Sequence, residues 1–350
     1  MTATLPAGMP RSLVVRHRLV SGRVRARLVG VTAVLALVCV VLSVVALGLG
    51  EIRISAVDVV RALVSPTDPV QRMLVTEWRL PRIELALLLG AALGVAGAVM
   101  QSLTHNPLGS PDIIGFDAGA YTGAILTIVA VGSTAAVIPG AVVGGLLTAV
   151  VVYLLAYRQG VAGFRLIVIG IAVTAMLGAL NAYLLLKSDL WTAQMAAIWG
   201  AGSLNGLDHG DVRVAVPALA LMAVPILLAR RAMSALELGD DAARAAGIAI
   251  NRNRLLLMFG AVGCSAVVTA LAGPIAFVAL AAPQLVRRLT RAPGVQLVPA
   301  AAMGATLLLA CDLVALHAFP AVLPVGLLTV VLGGAYLIWL LIVQSRQGWS

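Results

Sequence analysis

The residues that could do chemistry in this chain are few and scattered. Four histidines, His17, His105, His209 and His317, lie far apart, and three cysteines, Cys39, Cys264 and Cys311, each fall inside an apolar run. Neither set has the spacing of a metal site, a disulfide framework or a nucleophile with its base, so no catalytic residue and no metal centre is expected. A phosphate-cradling loop needs Gly-Lys followed by Ser or Thr, because backbone amides wrap the phosphates while the lysine reaches them. Lys187 is the only lysine, and Leu186 precedes it. The chain is expected to bind no cofactor; if ATP-Mg drives it, another polypeptide hydrolyses the nucleotide.

What remains is charge in unusual places. Asp117 lies within an apolar run, and ionisable groups at bilayer depth are costly and usually functional. It is a candidate pathway residue, with an interfacial acid beside Asp112 as the structural alternative. Glu84 and Asp312 are expected to reach the outer interface and pair with arginine. Residues 230–254 read RRAMSALELGDDAARAAGIAINRNR. Asp240 and Asp241 can cap or charge the first turn of a short helix that Ala242 to Ala246 favours and Gly247 ends. Such a helix, followed by an arginine cluster, suits docking to a soluble partner; a solvated connector is the plain alternative.

The elements that must hold these residues are membrane spans. Of 350 residues 61% are hydrophobic and 11% charged, too little polar surface to cover a water-soluble core of this size. The net charge of +10 does not signal a nucleic-acid partner, since the cations cluster between apolar runs rather than forming one basic face. A spanning helix needs about 20 mostly apolar residues. Runs at 28–50, 85–104, 112–131, 135–157, 166–186, 214–229, 255–272, a short one after Gly273-Pro274, 296–316 and 325–343 give an all-α, polytopic bundle of about ten spans. Gly132-Ser133-Thr134 and Gly273-Pro274 supply the internal breaks. Glycines four apart, such as Gly90 and Gly94, Gly119 and Gly123, and Gly140 and Gly144, suit close helix packing in lipid.

Arginines set the expected orientation. Residues 1–27 form a basic N-terminal arm ahead of a membrane domain at 28–345. Arg158, Arg165, Arg230, Arg231, Arg244, Arg252, Arg254, Arg287, Arg288, Arg291 and Arg346 fall on the same side as that arm. By the positive-inside rule this side, with both termini, is cytoplasmic. Trp78, Trp191 and Trp199 are expected at the outer interface, Trp339 and Trp349 at the inner one.

Six segments in one order carry a family resemblance: RLPR at 79–82, GAALGVAGAVMQSLTHNPLGSPDIIGFDAGA at 90–120, WGAGSLNG at 199–206, LGDDAARAAGI at 238–248, GPIAFVALAAPQLVRRLT at 273–290 and LPVGLLTVVLGG at 323–334. From about Ile52 onward the chain resembles the permease subunits of ABC importers for iron-siderophores, haem and vitamin B12, which share a type II importer fold like that of the vitamin B12 permease. Within them, 115–123 and 279–290 look most like the ferric-siderophore branch. The resemblance implies a second permease subunit, a copy or a paralogue, enclosing a pathway with this one. It also implies two ATPase subunits beneath, an extracytoplasmic binding protein delivering a ferric siderophore, and a bacterial cytoplasmic membrane around them.

The same resemblance assigns residues. Arg79 and Arg82 fall on arginines that dock the binding protein, a role in which exposed cations orient an acidic partner; the third docking arginine is replaced near Leu316 and His317. Asn106, Pro107 and Leu108 match the turn lining the cytoplasmic gate. Leu238, Gly239, Asp240, Arg244 and Gly247 match the loop that enters a cleft in the ATPase. Gln284, with Asp117 a possible pathway residue, stands where the family often has histidine, which argues against a proton or metal role there. Vitamin B12 and haem are the alternative cargoes. An ion-coupled secondary transporter, the alternative from another class, would need several intramembrane charges or inverted repeats; only Asp117 is deep, and no repeat is evident.

Overall fold

A computed structural model describes the chain except residues 1–11, 18–19, 51, 65–67, 113–114, 132–136, 157–162 and 348–350. The expected break at 132–134, Arg158, Trp349 and the start of the basic arm lie outside the described residues. The rest of the arm is a two-stranded antiparallel hairpin, β1 (Ser12–His17) and β2 (Val20–Arg25), with Ser12 opposite Arg25. Among the described residues every later regular element is helical: α1 (Ala26–Gly48), α2 (Ala56–Val64), α3 (Pro69–Arg72), α4 (Leu80–Thr104), α5 (Phe116–Val131), α6 (Val137–Ala156), α7 (Gly163–Lys187), α8 (Leu190–Gly200), α9 (His209–Leu236), α10 (Asp240–Ala245), α11 (Ile250–Ala272), α12 (Val278–Thr290), α13 (Leu297–His317) and α14 (Val325–Gln347).

Seven of the described helices are long and apolar enough to cross a membrane, and α5 and α14 add shorter apolar stretches. With the short α12, these match the expected runs one for one. Several bounds differ, among them the start of α11, at Ile250 rather than 255. The run at 112–131 becomes helical only at Phe116. The second span reaches back through α3 and a π-helical turn at Met73–Arg79. The sixth covers His209–Leu236 rather than 214–229. Its inner prolines, Pro217 and Pro225, do not end it, because bundle neighbours tolerate the lost backbone bond. An Asp208–Asp211 capping box starts it early. Neither α2 nor α8 was expected; both are too short to span, and Asp189 caps α8 by accepting from the Thr192 amide.

Helix α4 is the hub. It packs on α13, α11, α12 and α9, and most of its residues are buried, whereas α1 and α7 leave most of theirs on the outside. Lipid gives helices no hydrophobic reason to associate, so close backbone approach must supply the contact. A Cβ on Gly90 or Gly94 would collide with the backbone of Gly304 or Ala300 on α13, and one on Gly97 with Ala279 on α12. The same crossing joins α5 to α6, where Gly119 and Gly123 face Gly144 and Gly140.

Candidate functional site

The residues singled out by sequence gather at the two ends of this hub. At one end, Asp68 caps α3 by accepting from the Val70 amide at 2.9 Å, and the π-helical turn delivers Arg79 to the start of α4. Arg79 donates through both terminal nitrogens to the carbonyls of Leu47 and Ile52, each at 2.7 Å, and so closes the end of α1. Arg82 forks onto Asp312 of α13, with Nε to Oδ2 at 2.8 Å and Nη2 to Oδ1 at 2.7 Å. Its third donor goes to Asn205, from the WGAGSLNG segment. The expected pairing of Asp312 with an arginine is thus present. Both arginines are also braces within the chain, which the sequence did not announce.

At the opposite end, α4 stops on His105, whose φ of 49° places it in the left-handed region. Asn106 Oδ1 then accepts from the Leu108 amide at 2.9 Å, which closes an Asx turn around Pro107. Leu108 is left exposed at the tip. Under the turn, Gln284 Nε2 of α12 donates to Gln101 Oε1 at 2.6 Å and to the Pro107 carbonyl at 3.3 Å, and Gln101 donates to the Leu280 carbonyl at 3.0 Å. Gln284 thus satisfies the Gln101 carbonyl and the Leu280 carbonyl takes the Gln101 amide, where an unpaired buried amide would be costly. Gln101 escaped the sequence reading, although a glutamine within an apolar span was the available signal. A cavity of about 440 Å³ opens beside the turn, lined by Asn106, Pro107, Glu237 and Arg287.

The turn touches the 230–254 segment directly: His105 Nε2 lies 3.2 Å from the carbonyl of Leu236, the last residue of α9. Leu238 projects outward, and Gly239 and Gly247, at φ of 101° and 73°, bound α10, Gly247 ending it as expected from its place after the alanines. Only glycine adopts such angles without strain. The expected cap is corrected in one respect. Gly239 occupies the capping position and Asp240 makes no cap; instead Asp240 receives a fork from Arg254 of α11 at 2.7 and 3.2 Å. Asp241 pairs with Arg244 on the exposed face at 2.8 Å.

Asp117 sits apart from both ends. It lies in the first turn of α5 and accepts from Thr269 Oγ1 of α11 at 2.9 Å. The nearby Asp112 accepts from the backbone amide of Phe277, itself left-handed at φ 70°. On the α10 side, Arg25 and Arg27 donate to the carbonyls of Arg291 and Leu289, where cations complement the end of α12.

Residues 35–343 match the FecCD transport family. The chain belongs to that family. This FecCD chain is 49% identical over 311 residues to the ferric enterobactin transport system permease protein FepG of Escherichia coli (strain K12), covering 88% of this chain and 94% of the relative. It is 35% identical to the iron(3+)-hydroxamate import system permease protein FhuG of Bacillus subtilis (strain 168), over 89% of this chain and 96% of that one. Its fold is similar to that of a solved inward-facing metal-chelate type ABC transporter chain, with a TM-score of 0.74, 28% identity and coverage of 90% and 99%. The FecCD chain is accordingly a multi-pass transport permease with the type II importer architecture that its motifs implied.

Proposed function

We propose that this chain is the membrane-spanning subunit of an ATP-driven importer of a ferric siderophore, working beside a second permease subunit. The observation that carries the cargo is the near full-length 49% identity to a ferric enterobactin permease. Two ATPase subunits grip the face carrying α10, and a binding protein docks at the face carrying Arg79 and Arg82. The arginine-rich ends lie in the cytoplasm of a bacterium, by the positive-inside bias.

Transport in this reading is alternating access. ATP binding must favour one of two states, because a ligand shifts an equilibrium only by its differential affinity. Helix α10 is suited to transmit that preference: glycines bound it, Arg254 anchors it, and its root at Leu236 meets the gate turn through His105. Asn106, Pro107 and Leu108 then open or close the inner end, with Gln284 as a structural amide beneath them. Asp117 lines the pathway or its wall.

The test is uptake of radioactive iron by cells carrying this permease with its partner genes, in a host lacking its own ferric enterobactin permease. Ferric enterobactin should accumulate, and haem and vitamin B12 should not compete. Competition by either would transfer the cargo to that alternative. Uptake that survives loss of the ATPase but collapses with the proton gradient would replace the ABC mechanism.

A further inference from the structure

Helices α6 and α9 both pack on α11 and leave a furrow between them. Its volume is about 490 Å³, and its lining, from Ile138 and Val214 at one end to Tyr153 and Leu255 at the other, is almost wholly apolar. Gly263 and Ala266 of α11 deepen its floor, and Met222 and Met258, flexible side chains that adapt to an occupant, flank it. Ile138 to Tyr153 at ~1.5 Å per residue is about 22 Å, most of a hydrocarbon core ~30 Å thick. A helix, ~10 Å across with its side chains, could only rest on the rim of so narrow a furrow. A hydrocarbon chain is the thinner occupant that fits.

The two ends differ in charge. Arg252 is one turn before Leu255 and two before Phe259, both furrow residues, so it stands on the furrow face of α11. Helix α9 runs antiparallel to α11, with Met222 against Gly263 and Ile226 against Gly260, which brings Arg230 to the depth of Leu256. Both arginines are exposed, Arg252 on the furrow face of α11 and Arg230 at the same depth on the neighbouring α9. The neighbouring acids are committed elsewhere: Asp240 to Arg254, and Glu237 to the wall of the gate-side cavity.

We infer that the furrow holds an acyl chain of an anionic phospholipid from the leaflet on the α10 side, with its phosphate against Arg252 and Arg230. Basic pockets between spans recognise acidic headgroups in this way. The inference requires only that the chain crosses a bilayer, so it stands or falls separately from the choice of cargo.

The experiment is native mass spectrometry of the purified importer complex, offered equal amounts of phosphatidylglycerol and phosphatidylcholine. One phosphatidylglycerol per permease chain should be retained preferentially. At about fivefold for each arginine, the R230Q/R252Q variant should lose most of that preference. Ala266→Leu, which fills the floor and leaves the charges in place, should reduce retention of the lipid. Equal retention of the two lipids by the unmodified complex would overturn the assignment. So would undiminished preference in the arginine variant, or a second permease copy found covering the furrow. Should Ala266→Leu fail to assemble, the exposed arginine variant decides the question alone.

Discussion

Two arginine–aspartate forks, one at each face of the bundle, pair the same side chains, side-on through Nε and Nη2 of Arg82 and end-on through Nη1 and Nη2 of Arg254, and differ in what holds the acid. In the Arg82–Asp312 fork the aspartate side chain is 3% exposed and belongs to a 21-residue helix packed on the hub. In the Arg254–Asp240 fork it is 37% exposed and belongs to a six-residue helix flanked by left-handed glycines. The first fork locks two spans together; the second ties a short element to the start of α11. The same interaction thus braces a buried end and an exposed one.

The largest effect should come from breaking the brace. Arg82→Ala leaves Asp312 charged, buried and unpaired, which typically costs ~3–5 kcal/mol. The variant should fall sharply in membrane level and thermal stability, and adding Asp312→Asn should recover part of the loss. Recovery to no degree would mean that Arg82 matters mainly through Asn205. Next in size, Gly247→Val forces a β-branched residue to φ 73°, a local cost of ~1–2 kcal/mol. We expect normal membrane level with uptake abolished; undisturbed uptake would remove α10 from the coupling path.

Loosening the tether should do less. Arg254→Gln removes a charge-assisted bond worth ~1.5–3 kcal/mol, and should lower uptake per ATP hydrolysed severalfold while hydrolysis continues. Asp240→Asn should act alike, and the double variant should be no worse than either single one; additive losses would show that the two act separately. Smallest, Asn106→Ala deletes the side-chain bond of the gate turn at ~0.5–1.5 kcal/mol. A modest rise in passive leak across proteoliposomes, without loss of uptake, is the expected reading.

What could be read from sequence followed the range of the interaction. The break at Gly273-Pro274 was legible because proline acts on its own helix, and α11 duly ends at Ala272. The glycines around α10 were legible because left-handed backbone selects the residue type. Pro217 and Pro225 lie inside α9 without ending it, since packing inside a bilayer overrules them. Asp312 could be assigned an arginine in general terms but not Arg82 in particular, 230 residues away. The Gln101–Gln284 pair and the His105–Leu236 contact join segments 183 and 131 residues apart. No local pattern encodes such partners; only the hub helix brings them together.

Lys187, the chain's one side-chain amine, sits exposed on the last turn of α7. Acylating reagents that cannot permeate a bilayer will therefore reach this protein's lysine from one compartment alone. If the arginine-rich ends lie in the cytoplasm, as proposed, intact spheroplasts should be tagged there and sealed inverted vesicles should not; the reverse labelling would invert the orientation. A single substitution, Lys187→Arg, supplies the blank.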